Sequence, residues 1–321
     1  VECEANRHMP CQISPTFSLT VSDKMLKRPY RILMTATIAL SIPAFFLLPE
    51  TNADEQLLTL AREKASIHRY STLFTAQNVR DFLATPEGIE EAISWCKKTG
   101  VTRIFLETFR SNYRADPTLL ANARDKFRAA GFEVSGCVTT TIVGKISTGW
   151  ELISCYTDGP TQETLKNIFE TTARLFDEIM IDDFWFTDCE CEACESARQA
   201  QQVTIGNQTF PVSGDSWEDY RCELLVQLSR EYILKAARNV NPDVKVINKF
   251  PQWYDRFHLR GYEVVRETED FDLIWVGTET RDYDDQRWGG TPQYEAYFLM
   301  RWLGGIGGAK CGGGWFDPYG T

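Results

Sequence analysis

The feature that most constrains this chain is an alternation, from about residue 66 onward, of short apolar runs with capped amphipathic segments. The apolar runs are rich in β-branched and aromatic residues: IHRYSTLFT (67–75), VTRIFLETF (101–109), FEVSGCVTTTIVG (132–144), DEIMIDDFWF (177–186), DVKVINKFPQW (243–253) and FDLIWVGTET (271–280). Between them lie helical signatures. PEGIEEAISWCKKTG (86–100) carries Pro86 at its start and Gly100 past its end, and DPTLLANARDKFRAAG (116–131) adds Asp116 as N-cap. TQETLKNIFETTARLF (161–176) opens like a capping box. Residues 216–242 read as one long amphipathic helix, and 259–270 and 291–308 as two more. GAKCGGGWFDPYG (308–320) begins a further strand. Strands apolar on both faces, each followed by a helix, specify a parallel sheet covered by helices.

A doubly wound sheet and a (β/α)8 barrel both satisfy that pattern. No Gly-rich phosphate fingerprint follows the first strand, which removes the main support for a dinucleotide fold. Polar residues recur at strand ends: Glu107 and Arg110, Thr139 to Thr141, Asp182 and Asp183, Lys249, Glu279 and Arg281, Asp317. Barrel enzymes assemble their sites from the C-terminal ends of several strands. The expected fold class is therefore α/β, a (β/α)8 TIM barrel. About seven strands are legible, so the reading is a barrel truncated at the C-terminus, with its last unit missing. Residues 195–218 form a polar insertion whose TIGNQTFPV core suggests a hairpin.

The N-terminal region reads differently. From Met25 the chain runs MLKRPYR, then ILMTATIALSIPAFFLL, then PETNADEQ: a basic, an apolar and a polar segment in signal-peptide order. The expected division is 1–24, an upstream segment translated by mistake; 25–53, a signal peptide cleaved near Ala53; and 54–321, the catalytic barrel. A membrane anchor is the competing reading, since the apolar run approaches the length of a span. Pro43 and the short polar tail favour cleavage. The expectation is an exported protein, periplasmic or extracellular, that meets a membrane only through an uncleaved leader. A net charge of -11 without a Lys/Arg cluster argues against nucleic acid as a partner.

Two carboxylates in one pocket are the minimum kit for glycoside hydrolysis: one protonates the leaving oxygen, the other attacks the sugar carbon or activates water. By strand parity Asp183 matches Ile179 and Ile181, and it is expected to face the pocket as nucleophile or base, with Asp182 as alternate. Glu279 is the expected general acid/base. Glu107, Arg110, Lys249, Arg281 and Asp317 are candidates for binding sugar hydroxyls, and Trp185, Trp253, Trp275 and Trp315 for stacking. No GxSxG serine or HExxH motif accompanies His68 and His258, which lowers serine-hydrolase and zinc-protease readings. Catalysis is expected to need no cofactor.

After the fourth strand, Cys189, Cys191 and Cys194 follow a C-x-C-x2-C spacing that can wrap a metal ion. Cys137 or Cys155 is available as a fourth ligand, and Cys155 is taken. The alternative is a local disulfide. Any metal there is expected to be structural zinc, for want of an open coordination position.

The order strand, acid, short gap, C-x-C-x2-C resembles (β/α)8 β-galactosidases that carry a zinc-bound cysteine cluster after the fourth strand. IDDFWF resembles strand ends of bacterial glycoside-hydrolase-like barrels. Those β-galactosidases have Asn-Glu where this chain has Asp182-Asp183. Acids at strands four and six are instead similar to α-galactosidase-like barrels. The resemblance implies a glycoside hydrolase, without its substrate or stereochemistry; together with the leader, the expectation is an exported hydrolase acting on an oligo- or polysaccharide. A non-catalytic carbohydrate-binding barrel and a metal-dependent hydrolase are the alternatives.

Overall fold

The computed structural model describes residues 53–67, 69–278 and 294–315. Among the described residues seven parallel strands follow one another in chain order in one sheet: β1 Ser71–Phe74, β2 Arg103–Arg110, β3 Glu133–Val138, β4 Glu178–Ile181, β5 Lys245–Phe250, β6 Leu273–Gly277 and β7 Cys311–Trp315, with the short strand Tyr113–Arg114 added antiparallel to β2. All six neighbour pairs are parallel. Helices occupy every connection, among them Pro86–Lys98, Pro117–Ala129, Gly159–Leu175, Trp217–Leu228, Val264–Asp270 and Glu295–Gly307. The first two start as their sequences predict, with Thr85 and Asp116 capping and proline in the first turn.

The sheet curls on itself. On a flat sheet β2 and β7 would stand five spacings of about 4.8 Å apart, about 24 Å in all. Instead the rings of Phe105 on β2 and Trp315 on β7 have centroids 6.4 Å apart, and Phe105 meets Trp275 of β6 at 5.4 Å. One cluster, Phe105, Cys137, Met180, Ile247 and Trp275 with Leu73, Leu273 and Trp315, draws on all seven strands and fills the lumen. The alternate residues Ile104 and Leu106, and Ile179 and Ile181, pack outward in the apolar layers that join sheet to helices. This is the TIM-barrel arrangement expected from the sequence.

The lumen is layered. At the N-terminal end Arg103 bonds Ser135 Oγ (3.0 Å), Ser135 bonds Glu178 (2.8 Å), and Arg103 pairs with Glu178. The apolar cluster sits above, and Glu107, Thr139, Asp182 and Lys249 form the next polar layer.

Several boundaries differ from the sequence reading. β3 and β4 stop at Val138 and Ile181, so TTTIVG and DDFWF are loop rather than strand. The third helix begins at Gly159, because the Asp158 carboxylate accepts from Thr161 N and takes the cap role assigned to Thr161. Residues 259–270 are not one helix. Gly261 interrupts them at φ 96°, where a Cβ would come within 2.7 Å of Leu225. The long helix holds a π-helical stretch, Ser229–Leu234. The predicted hairpin is present, with Gln202–Ile205 pairing antiparallel to Gln208–Pro211. Among the described residues no helix is long and apolar enough to cross a membrane.

Candidate active site

Strand β2 ends in a tight two-residue turn. Ser111 and Asn112 both have positive φ (51° and 60°), and Arg110 pairs antiparallel with Tyr113 across them. The turn holds Arg110 at the rim, where Nε donates to Glu107 Oε2 (2.9 Å) and Nη2 to Asp182 Oδ2 (3.1 Å). Thr139, just past β3, lies within hydrogen-bond reach of both Glu107 Oε1 and Asp182 Oδ2. Lys249 of β5 places Nζ 2.8 Å from Asp182 Oδ1 and 3.6 Å from Asp183 Oδ2, over the Trp315 ring at 4.7 Å. Side chains from β2, β5 and β7 thus meet residues just past β3 and β4 at the C-terminal mouth, where barrel sites form.

The charge of Lys249 separates the two buried lumen carboxyls. Glu107 is fully enclosed, and desolvation raises its carboxyl above the ordinary range even though Arg110, Thr139 and the Ala76 N–H oppose the shift. Burial would also raise Asp182, but the positive charges of Lys249 and Arg110 override it and hold this carboxyl below the usual range. The two carboxyls are thus shifted in opposite directions, although donors hold both of them. Expected to bind sugar hydroxyls, Glu107 is instead enclosed by its own partners and bonded to Arg110.

The parity argument for Asp183 requires correction. Ile179 and Ile181 face the helices and Met180 faces the lumen, so Asp182 is the residue in phase with the lumen. Apolar character cannot distinguish the two faces of a strand buried on both. Asp183 still reaches the site because the strand stops at Ile181. Its backbone carbonyl accepts from Tyr262 Oη at 2.8 Å.

The tryptophans divide. Trp185, expected as a stacking platform, is instead fully buried between sheet and helices, edge-on to Tyr156, with Nε1 donating to Ser229 Oγ (3.0 Å). Trp253 lies at the rim, 5.3 Å from Phe186 and 6.5 Å from Phe184. Trp315 lies in the lumen beneath Lys249. Glu279, Arg281 and Asp317 lie outside the described residues. Sequence reasoning missed Thr139 as a site residue and Trp150 at the rim. The threonine run at the end of β3 was a signal for the first; the loop sequence KISTGWE offered none for the second.

The four expected cysteines converge. The sulfurs of Cys155, Cys189, Cys191 and Cys194 all lie within 4.8 Å of one another, and three of the separations are 3.6, 3.7 and 3.8 Å. Four thiolates about 2.3 Å from one tetrahedral zinc stand about 3.8 Å apart, so the set fits that ion. Four thiolates leave an excess of negative charge that neighbouring donors offset. Lys145 Nζ and Thr148 Oγ1 each lie 3.8 Å from a cluster sulfur, and Thr157 Oγ1 lies 3.0 Å from Cys194 Sγ. Cys137, the other candidate, is in the lumen. Cys155 follows β3 and the rest follow β4, so a bound ion would tie together two loops at the mouth.

The fold is a TIM barrel whose charged residues gather at the mouth of its strands. The chain belongs to the family described as "probable glycosyl hydrolase, catalytic domain", whose model matches residues 55–321. It is 32% identical over 247 residues to an uncharacterised protein of Saccharolobus solfataricus, covering 73% of this chain. The chain spans 40% of the length of that relative. Among solved structures it is similar to a GH10 endoxylanase from a sugarcane soil metagenome (TM-score 0.45, 8% identity, 80% of this chain and 70% of that one). It is also similar to a GH5_18 protein from Streptomyces cattleya (TM-score 0.42, 10% identity, 70% and 54%).

Proposed function

We propose that this protein hydrolyses glycosidic bonds of an oligo- or polysaccharide, with Asp182 as the ionised carboxylate and Glu279 as the acid. The observation that carries the reading is Asp182 in phase with the lumen, held ionised by Lys249 and Arg110 at the barrel mouth. That position favours Asp182 over Asp183 for the strand-four role. As the bond between the anomeric carbon and the leaving oxygen breaks, Glu279 gives its proton to that oxygen. Asp182 attacks the carbon or takes a proton from the water that does. Lys249 and Arg110 keep Asp182 charged. Asp183 braces the lysine from the rim and is the smaller contributor.

The cysteine cluster is proposed to hold zinc as a structural clamp, supplying rigidity and no chemistry to the reacting bond. The leader is proposed to direct export.

The test is turnover of a panel of aryl α- and β-glycosides by the wild type, Asp182→Asn, Asp183→Asn and Glu279→Gln. The expectation is a loss of about 10^2 to 10^4-fold for the first and third substitutions and a smaller loss for Asp183→Asn. A folded Asp182→Asn protein with wild-type turnover refutes the assignment. Sugar binding without turnover by the wild type points to a binding barrel.

A further inference from the structure

The loop between β3 and the helix Gly159–Leu175 holds three large apolar side chains in water: Ile146, Trp150 and Leu152 are 41%, 42% and 37% exposed. An indole left this open forgoes the burial its size would reward. Yet its mount is rigid. The Trp150 N–H donates to Asp188 Oδ2 (3.0 Å), and the same carboxylate accepts from Ser147 Oγ (2.6 Å) and Arg260 Nη1 (2.6 Å). The residue before it must be small, because a Cβ at Gly149 would come within 2.5 Å of the Asp188 carboxylate. Further along the loop, Cys155 joins the thiol cluster.

The ring belongs to a continuous aromatic surface. Trp150 lies 5.8 Å from the half-buried Phe184, which lies 6.5 Å from Trp253, and the buried Phe186 backs both tryptophans. Loops after β3, β4 and β5 contribute, and Phe184 is two residues beyond Asp182. Beside Trp253, Gln252 is 8% exposed, and its Oε1 has no hydrogen-bond partner among the described residues. Open aromatic faces with an unsatisfied amide beside them match a pyranose ring, which offers apolar C–H faces and hydroxyl donors.

We propose that Trp150 is a substrate-positioning platform that stacks a pyranose ring of the carbohydrate chain beyond the sugar that reacts. Phe184 and Trp253 extend the surface, and Gln252 Oε1 accepts a hydrogen bond from a hydroxyl. The proposal rests on the glycoside-hydrolase reading and supplies it with a specificity determinant. A protein partner docking on the same ring is the outcome that would displace it.

The test is native gel electrophoresis of the wild type, Trp150→Ala and Trp150→Phe through gels containing soluble xylan, galactomannan, β-glucan, galactan or starch. At least one polysaccharide is expected to retard the wild type. Trp150→Ala should bind it about tenfold more weakly, and Trp150→Phe should keep most of the affinity. Thermal midpoints of all three should agree, because the ring is half open to water. In turnover of matching oligosaccharides, the loss in Trp150→Ala should fall on KM more than on kcat. Retardation of Trp150→Ala equal to the wild type overturns the platform, and so does a wild type that no polysaccharide retards. Affinity lost in Trp150→Ala by a chain that hydrolyses nothing overturns the hydrolase reading and keeps the platform. Oligosaccharide turnover unchanged by Trp150→Ala does the reverse.

Discussion

Lys249→Met removes the charge on which the polar layer depends, while a side chain of similar length keeps the lumen filled. Lys249 is 2% exposed. At 2.8 Å from Asp182, its attraction comes to about 6 kcal/mol at an effective dielectric of about 20, and desolvation of the ammonium consumes part of that. Arg110 remains beside Asp182 after the substitution and limits the damage. Breaking one side of a buried pair costs about 3–5 kcal/mol, so Lys249→Met should lose about that much stability at pH 7. The sign of the pH effect follows from the charge left behind. With the lysine gone, the folded-state pKa of Asp182 rises, so protonation relieves the variant earlier than the wild type. The gap between the two should narrow as the pH falls toward the carboxylate range. Urea denaturation at pH 7 and pH 5 measures this, and a double-mutant cycle with Asp182→Asn isolates the pair. A Lys249→Met protein within about 1 kcal/mol of wild type at pH 7, with coupling below about 0.5 kcal/mol, would refute the reasoning.

Two other expectations follow from the same geometry. The Asp182 carboxyl lies below its unfolded value, so its contribution to stability is present above about pH 3.9 and is lost as the pH falls from there through the folded value. Asp182→Asn should flatten the acid limb of the stability curve, and identical slopes for the two proteins would count against the charged assignment. Cys155→Ser should reduce the zinc content of the purified chain and lower its stability by more than about 2 kcal/mol. Elemental analysis and denaturation decide the point; a metal-free wild type with two titratable thiols missing would identify a disulfide instead.

The alternation of apolar runs with capped helices was enough to specify a parallel sheet wrapped by helices, because hydrophobic period and capping chemistry are local. The hairpin, the proline-led helix starts and the cysteine cluster were legible for the same reason: each is written in neighbouring residues. Even Cys155, distant in sequence from its partners, was reachable because adjacent strand ends bring their loops together. The choice of lumen face at β4 was not local. Ile179, Met180 and Ile181 are all apolar, and only contact with Cys137 and Ile247 makes Met180, and hence Asp182, the inward residue. The division among tryptophans was equally hidden. An indole's sequence context is similar whether it fills a core, as Trp185 does, or stands open on a pinned loop, as Trp150 does. The opposite pKa directions of Glu107 and Asp182 also belong to tertiary structure alone. Both are buried acids at strand ends that pair with Arg110, and what separates them is the second cation, Lys249, 2.8 Å from Asp182.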